Sequence, residues 1–90
     1  MITQVIADLF AGRGGFVADG DRLNSPEDGE ATVFASIGNE TLVIDKVKVV
    51  ELDQEVAIFT TRKEVYVVAC GDVRALRFSS SSGGAGLVAT

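Results

Sequence analysis

The 90-residue chain contains no histidine and no tryptophan, and only one cysteine and one proline. Without histidine it lacks the commonest general base, the Ser-His and Cys-His nucleophile pairs and imidazole metal ligands. Its single cysteine, Cys70, cannot form an internal disulfide or a cysteine-ligated zinc site. We therefore expect a protein that is not an enzyme and that holds no metal ion or cofactor.

Long apolar runs and a basic leader are also missing. The uninterrupted apolar segments are a few residues long, far short of the roughly 20 that a membrane helix needs. The first residues, MITQVIADLF, lack the basic region with which a signal peptide begins. We expect no membrane partner and a location in the cytoplasm, or within a particle that assembles there.

Negative charge dominates the composition, with 13 acidic residues against 8 basic ones and a net charge of −5. Six of the acids lie in residues 1–30, beside two bases. Affinity for phosphate backbones comes mainly from Lys and Arg, so nucleic acid is a less favoured partner than protein. The acidic stretch also suggests an alternative in which residues 19–30 inhibit a basic partner protein.

The hydrophobic pattern predicts a short amphipathic helix over residues 1–11. Apolar side chains recur at positions 2, 5, 6, 9 and 10, which is the spacing of one helix face. Gly12, Gly14 and Gly15 follow and indicate a helix end. Because these glycines close a helix instead of opening one, they do not have the order of a phosphate loop. Residues 12–30 are predicted to form an acidic loop or a short irregular hairpin.

The body of the chain is predicted to be β, because ten of the 13 valines fall between Val33 and Val73. The predicted strands cover 31–37, 41–52, 55–61, 64–70 and 73–78. Short gaps between them favour an antiparallel meander, curled as a small barrel or a sandwich. In the second strand the apolar side changes near Asp45-Lys46 and again near Val49-Val50, where we expect a bulge or a sharp bend. Residues 1–78 then make one small β domain.

Residues 79–90 are rich in Ser and Gly and end in a short apolar stretch. Such a composition is typical of a flexible linker, so we predict a C-terminal arm. A neighbouring subunit would give this arm a surface on which to become ordered.

The third and fourth predicted strands are apolar on both faces, which suggests an association surface. One face can line the core, but the other needs a cover, because a soluble monomer rarely exposes so large an apolar patch. The N-terminal helix or a second copy of the chain can provide that cover. We predict a homo-oligomer or a larger structural assembly, of shell or virion type. The predicted contact residues are Phe59, Tyr66, Val68 and Leu87.

A competing interpretation is a nucleic-acid-binding regulator with a small barrel. Its predicted contacts are Lys46, Lys48, Arg62, Lys63 and Arg77. A basic strip beside one aromatic residue, here Tyr66, is a minimal surface for a single strand. Interleaved acids favour an ordinary solvated face instead; these are Glu51, Asp53, Glu55 and Glu64.

Two acidic clusters have spacings that invite a chemical interpretation. Asp19, Asp21 and Glu30 occupy positions 1, 3 and 12 of a calcium-loop register, but position 5 is a leucine and the required glycine is missing. Glu51, Asp53 and Glu55 surround a predicted hairpin tip, where carboxylates lack the pocket that acid-base catalysis requires. We expect a solvated acidic loop in the first case and a soluble sheet end in the second.

Two resemblances point to small assembling β proteins. The segments IGNETLVI (37–44) and RKEVYV (62–67) are similar to strands of the carbon storage regulator family of RNA-binding dimers. Where that family has basic residues before the first segment, this chain has Phe34, Ala35 and Ser36, and we do not assign it to the family. The segment EVYVVACGDVRALRF (64–78) resembles the closing strands of Sm-like and SH3-like barrels, which implies a small barrel that assembles.

Overall fold

The computed structural model describes the backbone of residues 1–80 and 85–89, and the side chains of residues 1–79. Its elements, in chain order, are α1 (Thr3–Gly12), β1 (Val17–Asp19), β2 (Arg22–Asn24), β3 (Gly29–Ile37), β4 (Glu40–Ile44), β5 (Val49–Asp53), β6 (Val56–Thr60), β7 (Val65–Ala69), a 3-10 turn (Cys70–Asp72), β8 (Val73–Ser80) and β9 (Ala85–Ala89). The prediction of a mainly β chain with one N-terminal helix is confirmed.

The strands form two antiparallel sheets. The first has the order β1-β2-β5-β6-β7, and the second has the order β4-β3-β8-β9. Buried residues of both sheets belong to one core cluster. Across the described residues the two sheets stay separate and do not close into a barrel, so the predicted antiparallel fold takes an open, sandwich-like form.

The predicted strand over 41–52 is wrong as one element, because the chain changes sheets within it. β4 belongs to the four-stranded sheet and β5 to the five-stranded sheet. Between them Lys46 has a φ of 57°, at the first of the two positions where a bend was expected. At the second, Val49-Val50, β5 pairs with β6 in continuous register and no bulge occurs. The Val47 N–H donates to the Ala31 carbonyl oxygen at 3.0 Å, and the Lys48 N–H donates to the Thr60 carbonyl oxygen at 2.8 Å. The segment between β4 and β5 is thus hydrogen-bonded to both sheets. The sequence shows only that the apolar side of the strand changes, and this does not reveal that the chain passes to the other sheet.

The acidic segment over 12–30 contains the short hairpin that was one of its two predicted forms. β1 and β2 pair with Asp19 opposite Arg22, and Gly20 in the turn between them has a φ of 64°. A left-handed residue at this point explains the glycine. β2 continues the sheet by pairing with β5, where Arg22 forms an ion pair with Glu51 at 3.3 Å.

Helix α1 ends where the glycines predicted. Gly15 has a φ of 68°, and the Phe16 N–H donates to the Phe10 carbonyl oxygen at 2.9 Å, which turns the chain back over the helix end. Gly14 is required for close packing, since a Cβ atom there would lie 2.7 Å from the Phe10 carbonyl oxygen and 2.8 Å from a ring carbon of Phe78. The helix end therefore approaches β8 directly.

The helix packs into the space between the two sheets. Ile6 and Phe10 are its buried residues. The Phe10 ring lies 5.2 Å from the Phe78 ring of one sheet and 6.1 Å from the Phe59 ring of the other, measured between centroids. Edge-on and tilted arrangements of this kind add to the stabilisation from apolar burial. The core is built around this aromatic contact.

This packing corrects two of the predicted contact residues. Phe59 is fully buried and Val68 is 6% exposed, and both belong to the core of the single chain. The face of β6 and β7 that was predicted to form the contact is therefore the wrong one. The face that carries Phe59 and Val68 points inward, toward the core. The helix fills the interior and leaves the outer face uncovered, with Val56, Val65 and Val67 exposed.

Part of the predicted C-terminal arm continues the four-stranded sheet. β8 extends to Ser80, and β9 pairs with it in antiparallel register from Ala75 opposite Ala89 to Ser79 opposite Ala85. Residues 81–84 and 90 lie outside the described residues, and so does the side chain of the predicted contact residue Leu87.

Candidate functional site

The first candidate surface is the outer edge of β7, which we call the β7 edge (Val65–Ala69). Among the described residues β7 pairs with β6 alone, so it ends the five-stranded sheet. Its sequence, VYVVA, contains no charge, proline or glycine. Proteins usually protect an edge strand with such residues or with a covering element.

The hydrogen-bonding direction of β7 follows from its ends. Antiparallel pairing alternates between residue pairs that exchange hydrogen bonds and pairs that do not. Before β7 the Thr61 N–H donates to the Glu64 carbonyl oxygen at 2.9 Å, and after it the Cys70 N–H donates to the Glu55 carbonyl oxygen at 2.7 Å. Both pairs are therefore of the hydrogen-bonded kind.

Hydrogen-bonded pairs recur at every second residue, so between these two ends the backbone groups of Tyr66 and Val68 also bond to β6. The alternate residues then direct their N–H and C=O groups away from β6, into the open edge; they are Val65, Val67 and Ala69. Their side chains lie on the outer face of the sheet, where Val65 is 63% exposed and Val67 is 67% exposed. The β7 edge thus combines exposed apolar side chains with backbone groups that have no strand partner among the described residues.

An apolar groove of about 420 Å³ runs beside the β7 edge. β7 lines one side of it, and Ile37 and Leu42 of the other sheet line the opposite side. The groove marks the opening between the two sheets. Sequence reasoning identified the apolar character of this strand but missed Val65 and Val67, which carry the exposed surface.

The second candidate surface is a cleft of about 630 Å³ at the end of the five-stranded sheet where β5 begins and β6 ends. The segment between β4 and β5 contributes Lys46 and Lys48, and the segment between β6 and β7 contributes Arg62 and Lys63. Tyr66 adds an aromatic ring to the lining. We call this surface, defined by these five residues, the basic cleft. It contains four of the five predicted nucleic-acid contacts.

The two segments meet because β5 and β6 pair, with Val49 opposite Thr60. The Thr61 hydroxyl accepts hydrogen bonds from the Lys63 N–H at 3.2 Å and the Glu64 N–H at 3.1 Å. This local turn fixes the backbone on the β6–β7 side of the cleft. The β5–β6 register therefore brings the two cationic segments together, and the hydrogen bonds of the Thr61 hydroxyl fix the turn that carries Arg62 and Lys63.

The fifth predicted contact, Arg77, does not line the cleft but supports its wall. Its guanidinium lies 3.9 Å from the Asp45 carboxylate and 5.7 Å from the centre of the Phe34 ring. The buried Thr32 hydroxyl donates to Asp45 at 3.1 Å and accepts from Arg77 at 3.4 Å. Arg77 therefore lies outside the lining of the cleft, and its contacts are with Asp45, Thr32 and Phe34.

Two of the three acids in the cleft lining form contacts with neighbouring side chains, whereas the four cations form no ion pair among the described residues. Asp45 contacts Thr32 and Arg77, and Glu64 accepts a hydrogen bond from the Tyr66 hydroxyl. Glu30 is the third acid in the lining. None of the four cations forms an ion pair within the described part of the chain. The lining therefore presents positive charge that its own acids do not pair.

Tyr66 keeps its proton in this setting. The hydrogen bond to the Glu64 carboxylate raises the pKa of Tyr66, and the partial desolvation of the phenol and the negative charge of Glu64 act in the same direction. The hydroxyl therefore stays a donor at neutral pH and holds Glu64. The ring packs partly against the core and also lines the cleft.

Acidic residues collect at the opposite end of the five-stranded sheet. The β1–β2 turn carries Asp19 and Asp21, and the β5–β6 turn carries Asp53 and Glu55. The first pair is separated from Glu30, which lines the basic cleft. Within the described residues no group of three His, Cys, Asp or Glu side chains is arranged to hold a metal ion. Of the acids that were expected to interleave with the bases, Asp53 and Glu55 are separated from the cleft by the length of the strands, whereas Glu64 lies among the bases in its lining.

Among the described residues there is no helix with the length and apolar character needed to cross a membrane. Comparison with protein-family models, curated proteins and solved structures found no match to this chain.

Proposed function

We propose that the protein is a non-enzymatic structural subunit that self-associates through the β7 edge and acts in the cytoplasm or in a particle assembled there. One observation carries the proposal: an uncharged edge strand whose outward backbone groups have no partner among the described residues and whose outer side chains include exposed Val65 and Val67. Adding a strand would satisfy these groups and cover the valines.

A second copy of the chain is the proposed occupant, because the β7 edge is complementary to itself. In antiparallel pairing about a two-fold axis at Val67, Val65 of one copy faces Ala69 of the other. No charged residue of one strand then meets a like charge within the paired segment. A symmetric contact of this kind is the commonest way in which soluble proteins form dimers.

The charge distribution supports the same orientation. Antiparallel pairing reverses the direction of the second copy, so the end of β7 that carries Arg62 and Lys63 lies toward the end that carries Glu55 and Asp72 in the other copy. Opposite charges in these positions favour the orientation and select against the parallel one. Val65 and Val67 replace Phe59 and Val68 as the residues that we expect at the contact.

The test is the mass of the untagged protein, measured by light scattering during size exclusion at two concentrations. We expect a multiple of 9.4 kDa for the natural sequence and a single-chain mass for Val67→Lys. A lysine at this position places a charge in the pairing edge, as natural edge strands do. The variant should keep its fold, because Val67 is 67% exposed.

The matched control is Val17→Lys, which changes a 65% exposed valine in β1, at the other edge of the same sheet. This variant should keep the mass of the natural sequence. A single-chain mass for the natural protein at both concentrations would overturn the proposal, and so would equal behaviour of the two variants.

A further inference from the structure

We propose that the basic cleft is a binding site for single-stranded nucleic acid, a function separate from self-association. The cleft brings four cations and one aromatic ring to a single surface from two distant chain segments. Cationic side chains that follow a phosphate backbone, together with an aromatic ring on which a base stacks, are the two components of single-strand recognition.

The pairing of charges in the cleft supports an anionic ligand. Asp45 is occupied by Thr32 and Arg77, and Glu64 is occupied by Tyr66. The four cations have no ion-pair partner in the described residues, so a phosphate would meet them without first displacing a carboxylate. Like charges that line one cleft repel one another, and an anionic ligand would relieve that repulsion.

The net charge of −5 does not oppose binding at this position. Four acids lie on the two turns at the far end of the five-stranded sheet: Asp19, Asp21, Asp53 and Glu55. Salt screens exposed charges beyond roughly 8 to 10 Å, so the charges of the cleft lining itself govern the field there. The lining has four cations and three carboxylates, Glu30, Asp45 and Glu64, and its formal charge is therefore +1. The overall charge lowers the rate of encounter more than it alters the bound contacts.

Tyr66 distinguishes nucleic acid from a simple anion. The ring lines the cleft, and its hydroxyl is anchored by Glu64, so it offers a base a platform with little freedom to lose. It is also the only tyrosine, in a chain that lacks tryptophan. Tyrosine fluorescence therefore reports on this one residue.

The first measurement is the fluorescence anisotropy of a labelled short oligouridylate, titrated with the natural full-length chain over a series of salt concentrations. If all four cations meet phosphates, the logarithm of the binding constant should fall with the logarithm of salt with a slope of about −3. The double variant Lys48→Gln with Lys63→Gln should reduce this slope by about 1.4, since each lost phosphate contact removes about 0.7.

The control Arg13→Gln removes an exposed positive charge outside the cleft and should leave the slope unchanged. Tyr66→Leu should weaken binding about tenfold or more, because base stacking on the ring is lost. Oligouridylate should quench the tyrosine fluorescence of the natural protein, and inorganic polyphosphate should not. Binding is measured in the Val67→Lys variant as well, so that the result does not depend on self-association.

Three results would overturn the inference. The first is the absence of binding at low salt. The second is an equal loss of slope in the Arg13→Gln control and the double variant, which would place the contacts elsewhere. The third is polyphosphate binding as tight as that of oligouridylate without a change in tyrosine fluorescence, which would identify the cleft as a general anion site.

Discussion

The two faces of the β6–β7 hairpin are built from similar residues but have opposite environments. The inward face holds Ala57, Phe59, Val68 and Cys70, all buried. The outward face holds Val56, Ile58, Val65 and Val67, of which the three valines are exposed. The difference shows that apolar composition does not decide which face becomes the core. The buried face is the one that carries the largest side chain, Phe59, whose ring meets Phe10 of the helix between the sheets.

The largest expected effect is on stability, because substitutions on the two faces should change the free energy of unfolding by different amounts. Phe59→Ala should lower the free energy of unfolding by about 3 to 5 kcal/mol, because it empties the space beside Phe10. Val65→Ala on the outer face should change it by about 0.5 kcal/mol or less. Both are made in the Val67→Lys background, so that unfolding is not linked to self-association. Chemical denaturation monitored by circular dichroism measures the two values, and similar losses in both variants would contradict the assignment of faces.

A smaller effect concerns the pKa of Tyr66. This residue lies on the same side of β7 as the buried Val68, but its ring also lines the basic cleft. Because its folded pKa is raised, the hydrogen bond to Glu64 contributes below the ordinary phenol pKa of about 10 and is lost as the pH rises through the raised value. The phenolate absorbance of the single tyrosine should therefore appear at higher pH in the folded protein than in denaturant. Glu64→Gln should move the transition back toward the ordinary value. A folded transition at or below the denatured one would contradict this contact.

Much of the fold could be predicted from sequence because local rules determine it. The helix and its glycine end follow from spacing and from backbone freedom, and the valine-rich strands follow from side-chain shape. The change of sheet at Lys46 is a long-range event: a parity switch marks its position but does not say whether the chain bends within a sheet or leaves it.

The candidate surfaces were harder to predict than the elements. Interleaved acids and bases in the sequence suggested a solvated face, but the hairpin register sends Asp53 and Glu55 to one end of the strands and Lys48 and Arg62 to the other. Strand ends that meet in space are not neighbours in the sequence. The exposed valines of β7 were missed for a similar reason, since the choice of face depends on a helix more than 40 residues away.

Amide hydrogen exchange along β7, measured residue by residue by NMR, tests the central claim most directly. At concentrations where the natural protein self-associates, the amides of Val65 and Ala69 should be protected as strongly as those of Tyr66 and Val68, which bond to β6. In Val67→Lys the first two should exchange rapidly while the second two stay protected. Rapid exchange of Val65 and Ala69 in the associated natural protein would contradict pairing through the β7 edge.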